Sequence, residues 1–271
     1  MKKVLALALI TYREGIRNRS VFGIVLFSLF IFGLNIAVAG FFMRDVGKVT
    51  VDMNLSALSV AGLLLVFFVG VNLMAKDIDR KTIHLVLSKP ISRVEYIWGK
   101  YFGILFFILA SMAVLFVLSC FTVLLLKGMY ADYFGQFSWL VFSLAAFFVF
   151  VKVAVLAGIV VFFSSITSNS FITLVFSICA FIVGVSIEEV VFYLRSAFAA
   201  QEAAISGSLR SFIEAISYFV PNLAAFDFKT EAAHGLPLAW DRLGLSLGYA
   251  AAYVVVLLLL ASFIFRRREF N

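Results

Sequence analysis

Charge is scarce in this sequence. Asp, Glu, Lys and Arg make up 14% of its 271 residues, hydrophobic residues make up 64%, and the mean hydropathy is +1.11. A soluble domain carries about 25% charged residues and about half apolar ones, so this composition excludes a water-borne globule and belongs to a membrane. The length suits a single integral domain over 1–271 rather than two soluble ones. Cysteine is nearly missing as well. Cys120 and Cys179 each lie mid-way along an apolar run, which argues against a disulfide framework or a zinc site and leaves two small side chains packed in helices. His84 and His234 stand apart from each other and from the cysteines, so no metal set forms.

Chemical signatures are missing too. The chain has no His-Glu-x-x-His, no Gly-x-Ser-x-Gly and no pair of intramembrane acids, which removes the case for a membrane enzyme. It has no G-x-x-x-x-G-K-[ST]; Gly47-Lys48 and Gly99-Lys100 both lack the first glycine at the required spacing. ATP cannot be held here by the usual phosphate cradle, and no cofactor is expected on this chain. The net charge of +7 does not mark a nucleic-acid partner, because the basic residues sit at the ends of apolar runs. No internal repeat or low-complexity segment is visible, which disfavours an inverted-repeat carrier.

Six apolar runs remain, each near the 20 residues that a helix needs to cross a ~30 Å hydrocarbon core. They are Val21–Phe42, Leu55–Met74, Tyr101–Leu126, Trp139–Phe163, Phe171–Ile187 and Leu243–Phe265. The fifth is the shortest; its alternative bound is a helix continued through Glu188 and Glu189 to Leu194. The expected fold is therefore an all-α integral membrane protein with six transmembrane helices.

Before the first run, residues 1–20 begin with two lysines and a short apolar stretch. A signal peptide is not expected, because no small-x-small site follows and Arg13, Glu14, Arg17 and Arg19 arrive at once. On a helical wheel Leu5, Ala8, Leu9, Tyr12 and Ile16 share one face and Lys3, Arg13, Glu14 and Arg17 the other, with Leu7 and Ile10 out of pattern. That predicts an amphipathic helix lying in the interface against lipid headgroups. Counting Lys and Arg in the joints gives fourteen on the side of the termini and seven on the other, so both termini should be cytoplasmic. Tyr96, Trp98, Tyr101 and Trp139 fit an aromatic belt at the membrane boundaries.

Two joints are unusual. Residues 188–242 are long for a plain loop, and their apolar middle is divided by Pro221. Either a soluble cap or a pair of short helices turning at Pro221 and Asn222 fits; irregular backbone at membrane depth needs protein or a watery cavity around it. The re-entrant hairpin is the favoured form. The other joint, residues 75–100, holds nine charged residues from Lys76 to Lys100. As a helix, Asp77–Ser88 gathers Asp77, Arg80, Lys81, His84 and Ser88 on one side and Ile78, Thr82, Ile83, Leu85 and Val86 on the other; Pro90 stops it. Such a helix can seat its apolar side in a soluble partner, or rest on lipid alone.

The stretch "DIDRKTIHLVLSKPISRVEYIWGKYFG" resembles the loop between spans two and three of ABC-2 type transporter permeases, in particular the subgroup linked to maturation of multicopper enzymes and nitrous-oxide reductase. The match is carried by Asp77 or Asp79, Thr82, Leu87, Ser88, Pro90, Ser92, Arg93, Gly99 and Lys100; it departs at Lys81, where many members have glycine. The resemblance implies the membrane subunit of an exporter in the cytoplasmic (inner) membrane of a prokaryote. It implies a dimer of this chain or a related permease, with two separate ATPase subunits that hold ATP and magnesium. It also implies that Asp77, Asp79, Thr82, Leu85, Val86, Ser88, Pro90 and Arg93 form a coupling element for the ATPase, and that the interface helix lies nearby.

Lys152 sits about a dozen residues from either end of the fourth run. A cation at a helix centre costs roughly 2.5–3.5 kcal/mol on insertion scales. It either lines a substrate path or dimer interface and meets an anionic group, or bonds to a neighbouring helix. Glu188 and Glu189 read as solvated unless one pairs with Lys152. Gly99-x-x-x-Gly103 and Gly244-x-x-x-Gly248 read as packing positions. Two other functions stay open: an ATP-independent carrier or channel, which would need more intramembrane charge, and a non-transporting anchor for a soluble complex.

Overall fold

A computed structural model describes residues 2–42, 45–74, 91–195, 213, 215–217 and 219–268. Among these residues every regular element is helical. Helix α1 (Lys2–Ile16) precedes α2 (Ser20–Val38) and α3 (Val46–Leu64), which runs on through a π-helical stretch, Leu65–Gly70. Then come α4 (Arg93–Met129), α5 (Trp139–Ile166), α6 (Ser170–Arg195), the short α7 (Lys229–His234) and α8 (Trp240–Arg267). Among the described residues six helices are long and apolar enough to cross a membrane: Val21–Phe41, Val46–Met74, Arg93–Met129, Trp139–Ile166, Ser170–Leu194 and Trp240–Arg267.

Most of these helices outrun the apolar stretches that announce them. Helix α3 starts nine residues before Leu55, carrying Lys48 and Asp52. Helix α4 starts eight residues before Tyr101 because Ser92 and Glu95 form a capping box: the Ser92 hydroxyl accepts from the Glu95 amide at 3.2 Å, and the Glu95 carboxylate accepts from the Ser92 amide at 2.8 Å. Those reciprocal bonds satisfy amides that the first turn leaves open. Helix α6 continues through Glu188 and Glu189 to Arg195.

Burial separates the centre from the rim. In their most apolar stretches α5 is 78% and α3 67% buried, against 22% for α2 and α6 and 28% for α8. Lipid is as apolar as leucine, so helices associate through close packing and polar bonds rather than by escaping water. Both are present. Asn35 on α2 and Asn54 on α3 each donate to the Thr50 carbonyl, at 3.2 and 2.8 Å, and Ser119 on α4 donates to Asn54 at 3.0 Å. Tyr96 and Tyr101, expected in a boundary belt, are buried instead: Tyr96 stacks on Phe265 of α8 at 5.5 Å, and Tyr101 donates to the Ala154 carbonyl of α5 at 3.3 Å. Cys179 faces outward rather than packing.

Helix α1 packs most extensively against α4. The contact face is Leu7, Ala8, Thr11 and Gly15, while Leu5 is 55% and Leu9 47% exposed. The expected apolar face is thus split: Leu5, Leu9 and Ile16 point away from the bundle, Ala8 packs into it, and Leu7, which broke the helical-wheel pattern, packs beside Ala8. The reason is on α4. A Cβ at Gly103 would lie 2.5 Å from the Thr11 Cβ and 2.8 Å from the Ala8 carbonyl, and one at Gly99 would lie 2.7 Å from Leu7. At the other small-residue pair, Gly244 and Gly248, an added Cβ would meet nothing within 4 Å among the described residues.

Gly103→Val should push α1 off α4 and lower thermal stability in detergent by an amount typical of overpacking, about 1–3 kcal/mol, with faster trypsin cleavage at Arg13 and Arg17. Gly248→Val should leave both readouts within about 0.5 kcal/mol of the parent.

Candidate functional site

One end of the bundle collects the C-termini of α3, α5 and α8 and the N-terminus of α4. The last carbonyls of a helix have no partner in their own helix and carry partial negative charge. Three cations answer this need. Arg93, at the start of α4, donates through one nitrogen to the carbonyls of Phe265 at 3.0 Å and Arg266 at 3.2 Å, and to that of Arg268. Arg268, just past α8, donates to the carbonyls of Ser165 at 3.0 Å and Thr167 at 2.8 Å at the end of α5, and to the Ser168 hydroxyl. Lys100, almost fully buried, donates to the Leu73 carbonyl at 2.8 Å in the last turn before Met74, with Glu14 of α1 3.8 Å away. Four transmembrane helices and α1 are thereby joined at one end by side chains of charge +1.

The charged joint 75–100 leaves and re-enters the bundle at this end. Of the eight residues expected to form the coupling element, Asp77, Asp79, Thr82, Leu85, Val86, Ser88 and Pro90 lie outside the described residues. Arg93 is described, and its bonds bind it to α8. Beside the joint, α1 and the end of α3 line a cavity of about 580 Å³ with Ile10, Arg13, Glu14, Arg17, Asn72 and Leu73.

Toward the opposite end, the chain turns at Pro221 and Asn222 against two long helices. Leu223 donates its amide to the Gly184 carbonyl of α6 at 2.8 Å, and a Cβ at Gly184 would lie 2.8 Å from the Pro221 carbonyl. Asn222 does most of the local work. Its amide donates to the Tyr249 hydroxyl at 2.9 Å, its side-chain NH₂ donates to Glu188 at 2.9 Å, and its side-chain oxygen accepts from the amides of Ala224 and Ala225 at 3.1 and 3.2 Å. The Tyr253 hydroxyl donates to the Phe219 carbonyl at 3.0 Å. Tyr253 is thirteen residues beyond Trp240, so Phe219 lies level with a point about 20 Å along α8 at 1.5 Å per residue.

Lys152 is 8% exposed, inside the bundle on α5. Its ammonium lies 5.9 Å from the centre of the Phe181 ring of α6, and Phe181 meets Phe67 of the π-helical stretch edge-on at 6.0 Å. One turn along α5, Phe148 contacts Phe228 at 4.7 Å, next to Asp227. Lys152 and Glu188 do not meet: Glu188 is engaged by Asn222.

Several residues that position these groups drew no attention as single letters. Arg268 counted only toward the basic tail, Glu188 read as solvated, and Gly184, Tyr249 and Tyr253 gave no signal. Only the alternation of span directions, which sends the ends of α3, α5 and α8 to one side, hints that cations there will cap helices.

Comparison with curated proteins gives no match. The family model described as ABC-2 family transporter protein matches residues 5–270. The chain belongs to the ABC-2 transporter family, as a multi-pass membrane subunit without an ATP-binding motif of its own, the ATPase activity lying in a partner.

Proposed function

We propose that this protein is the permease of an exporter in the cytoplasmic membrane of a prokaryote, with both termini cytoplasmic and the whole of 1–271 forming one transmembrane domain. Two copies, or this chain and a related permease, work with two ATPase subunits that dock on the Asp77–Ser88 helices. By its loop motif the chain groups with the permeases that serve multicopper-enzyme and nitrous-oxide-reductase maturation. Helix α1 lies in the membrane interface beside the docked ATPase, its exposed Leu5 and Leu9 in lipid.

The observation that carries this reading is the trio of cationic caps. A displacement of the loop enters the bundle at Arg93 and Lys100. From there hydrogen bonds lead to the ends of α8 and α3, and through Arg268 to the end of α5. Closure of the ATPases would thus move a joined set of spans rather than one helix, in the manner of rigid-body switching. At the other end, the turn at Pro221 and Asn222 is the tip of a re-entrant hairpin. Its bonds to Gly184, Glu188, Tyr249 and Phe219's partner Tyr253 supply the protein surroundings that non-helical backbone needs at membrane depth.

Affinity purification from the native membrane in mild detergent should bring down an ATPase with a Walker motif. Leu85→Asp with Val86→Asp should lose it while the variant permease stays folded; retention of the ATPase would contradict docking at this helix. Arg93→Met should keep the ATPase bound but cut permease-dependent ATP hydrolysis several-fold. It should also lower stability by about 1.5–3 kcal/mol, the scale of hydrogen bonds made by a charged group.

A further inference from the structure

The charges around Lys152 do not balance. Lys229 pairs with Asp227 at 3.5 Å and Arg242 pairs with Glu231 at 3.2 Å, so the two acids on the chain that follows the hairpin tip already have partners. Asp227 and Lys229 act on Lys152 from a distance and in opposite senses. Among the described residues Lys152 itself makes no hydrogen bond and no ion pair; its contact is the face of Phe181. A cation–π contact contributes about 0.5–2 kcal/mol, less than the roughly 2.5–3.5 kcal/mol that a cation costs at the centre of a membrane helix. Among the described residues one positive charge is left over beside Phe181, with Phe67 against that ring and Phe148 and its contact Phe228 one turn along α5.

We infer that Lys152 is the recognition group for a single oxyanion, a carboxylate or a phosphate, borne on an apolar body. The ammonium supplies the counter-charge and the phenylalanine rings receive the hydrocarbon. An amphiphilic anion satisfies both at once, whereas a neutral apolar molecule leaves the charge unbalanced and a small hydrated anion leaves the rings unused. The site lies between the buried helix α5 and the rim helix α6, beside the chain that follows the turn at Pro221. That the bound anion is cargo rests on the permease reading proposed above. The binding itself needs no ATPase, so a failed binding test leaves ATPase docking untouched.

The test uses the purified full chain in nanodiscs of phosphatidylcholine, with dodecyl phosphate as probe and dodecanol as its uncharged match. Thermal unfolding is followed for the wild type, Lys152→Met and Lys152→Arg. Dodecyl phosphate should raise Tm of the wild type and of Lys152→Arg by roughly 5 °C at a hundredfold excess over Kd, saturably, and dodecanol should not. Lys152→Met should show no response, and without probe its Tm should equal or exceed the wild type because an unbalanced charge is gone. An unresponsive wild type, or a Lys152→Met protein that responds equally, would overturn the inference. So would a Lys152→Met protein that fails to fold, since the charge would then be balanced within the chain. Repeating the titration in discs containing phosphatidylglycerol separates the sources. A wild-type shift already present without probe, and dependent on Lys152, assigns the oxyanion to a bilayer headgroup; a shift that still needs the probe assigns it to a free amphiphile.

Discussion

Every transmembrane helix ends in carbonyls that its own ladder cannot use, and at a membrane boundary each must find a donor. Three of the six spans end at the same side here, and the donors are Arg93, Lys100 and Arg268. Each belongs to, or directly follows, a different place in the chain from the helix it caps. A cap therefore also acts as a clamp: Arg93 ties the start of α4 to the end of α8, and Arg268 ties α8 to α5. The same residues contribute to the excess of Lys and Arg on that side, so part of the topological charge bias is also the bonding that holds the spans together.

The opposite half depends on a comparable constraint with different chemistry. Among the described residues no cation bonds to the turn at Pro221. Asn222 uses its amide, its side-chain NH₂ and its side-chain oxygen, and two tyrosine hydroxyls from α8 meet the backbone on either side of the turn. Apart from the Glu188 carboxylate these donors and acceptors are neutral, which suits a place along the helices where an added charge would be costly. Between the clamped end and this turn sits Lys152, on the most buried helix and beside the π-helical stretch, a local distortion often found at functional sites.

The spans were readable because hydrophobic length is a demand of the bilayer, not of any neighbour. Their ends were not, since Lys48, Asp52 and the Ser92–Glu95 box prolong helices by local bonds after the apolar run has stopped. Helix α1 shows the limit of periodicity. Its apolar face and its packing face share Ala8 but do not coincide, because the missing side chains of Gly99 and Gly103 on another helix decide where it docks. Lys152 stood out by cost alone, and Arg93 through the loop motif. Glu188 and Arg268 could not be read in advance, because their partners lie 34 and about a hundred residues away.

The central claim is that the clamped ends of α4, α5 and α8 move as one body when the loop is displaced. Pulsed electron paramagnetic resonance within one subunit, with spin labels at Ile91, Ile166 and Phe263, measures it directly in the complex with its ATPase. The three distances should stay constant between nucleotide-free and ATP-trapped states, and should come apart in Arg93→Met. A wild-type complex in which the Ile91–Phe263 distance changes on ATP binding would contradict the account.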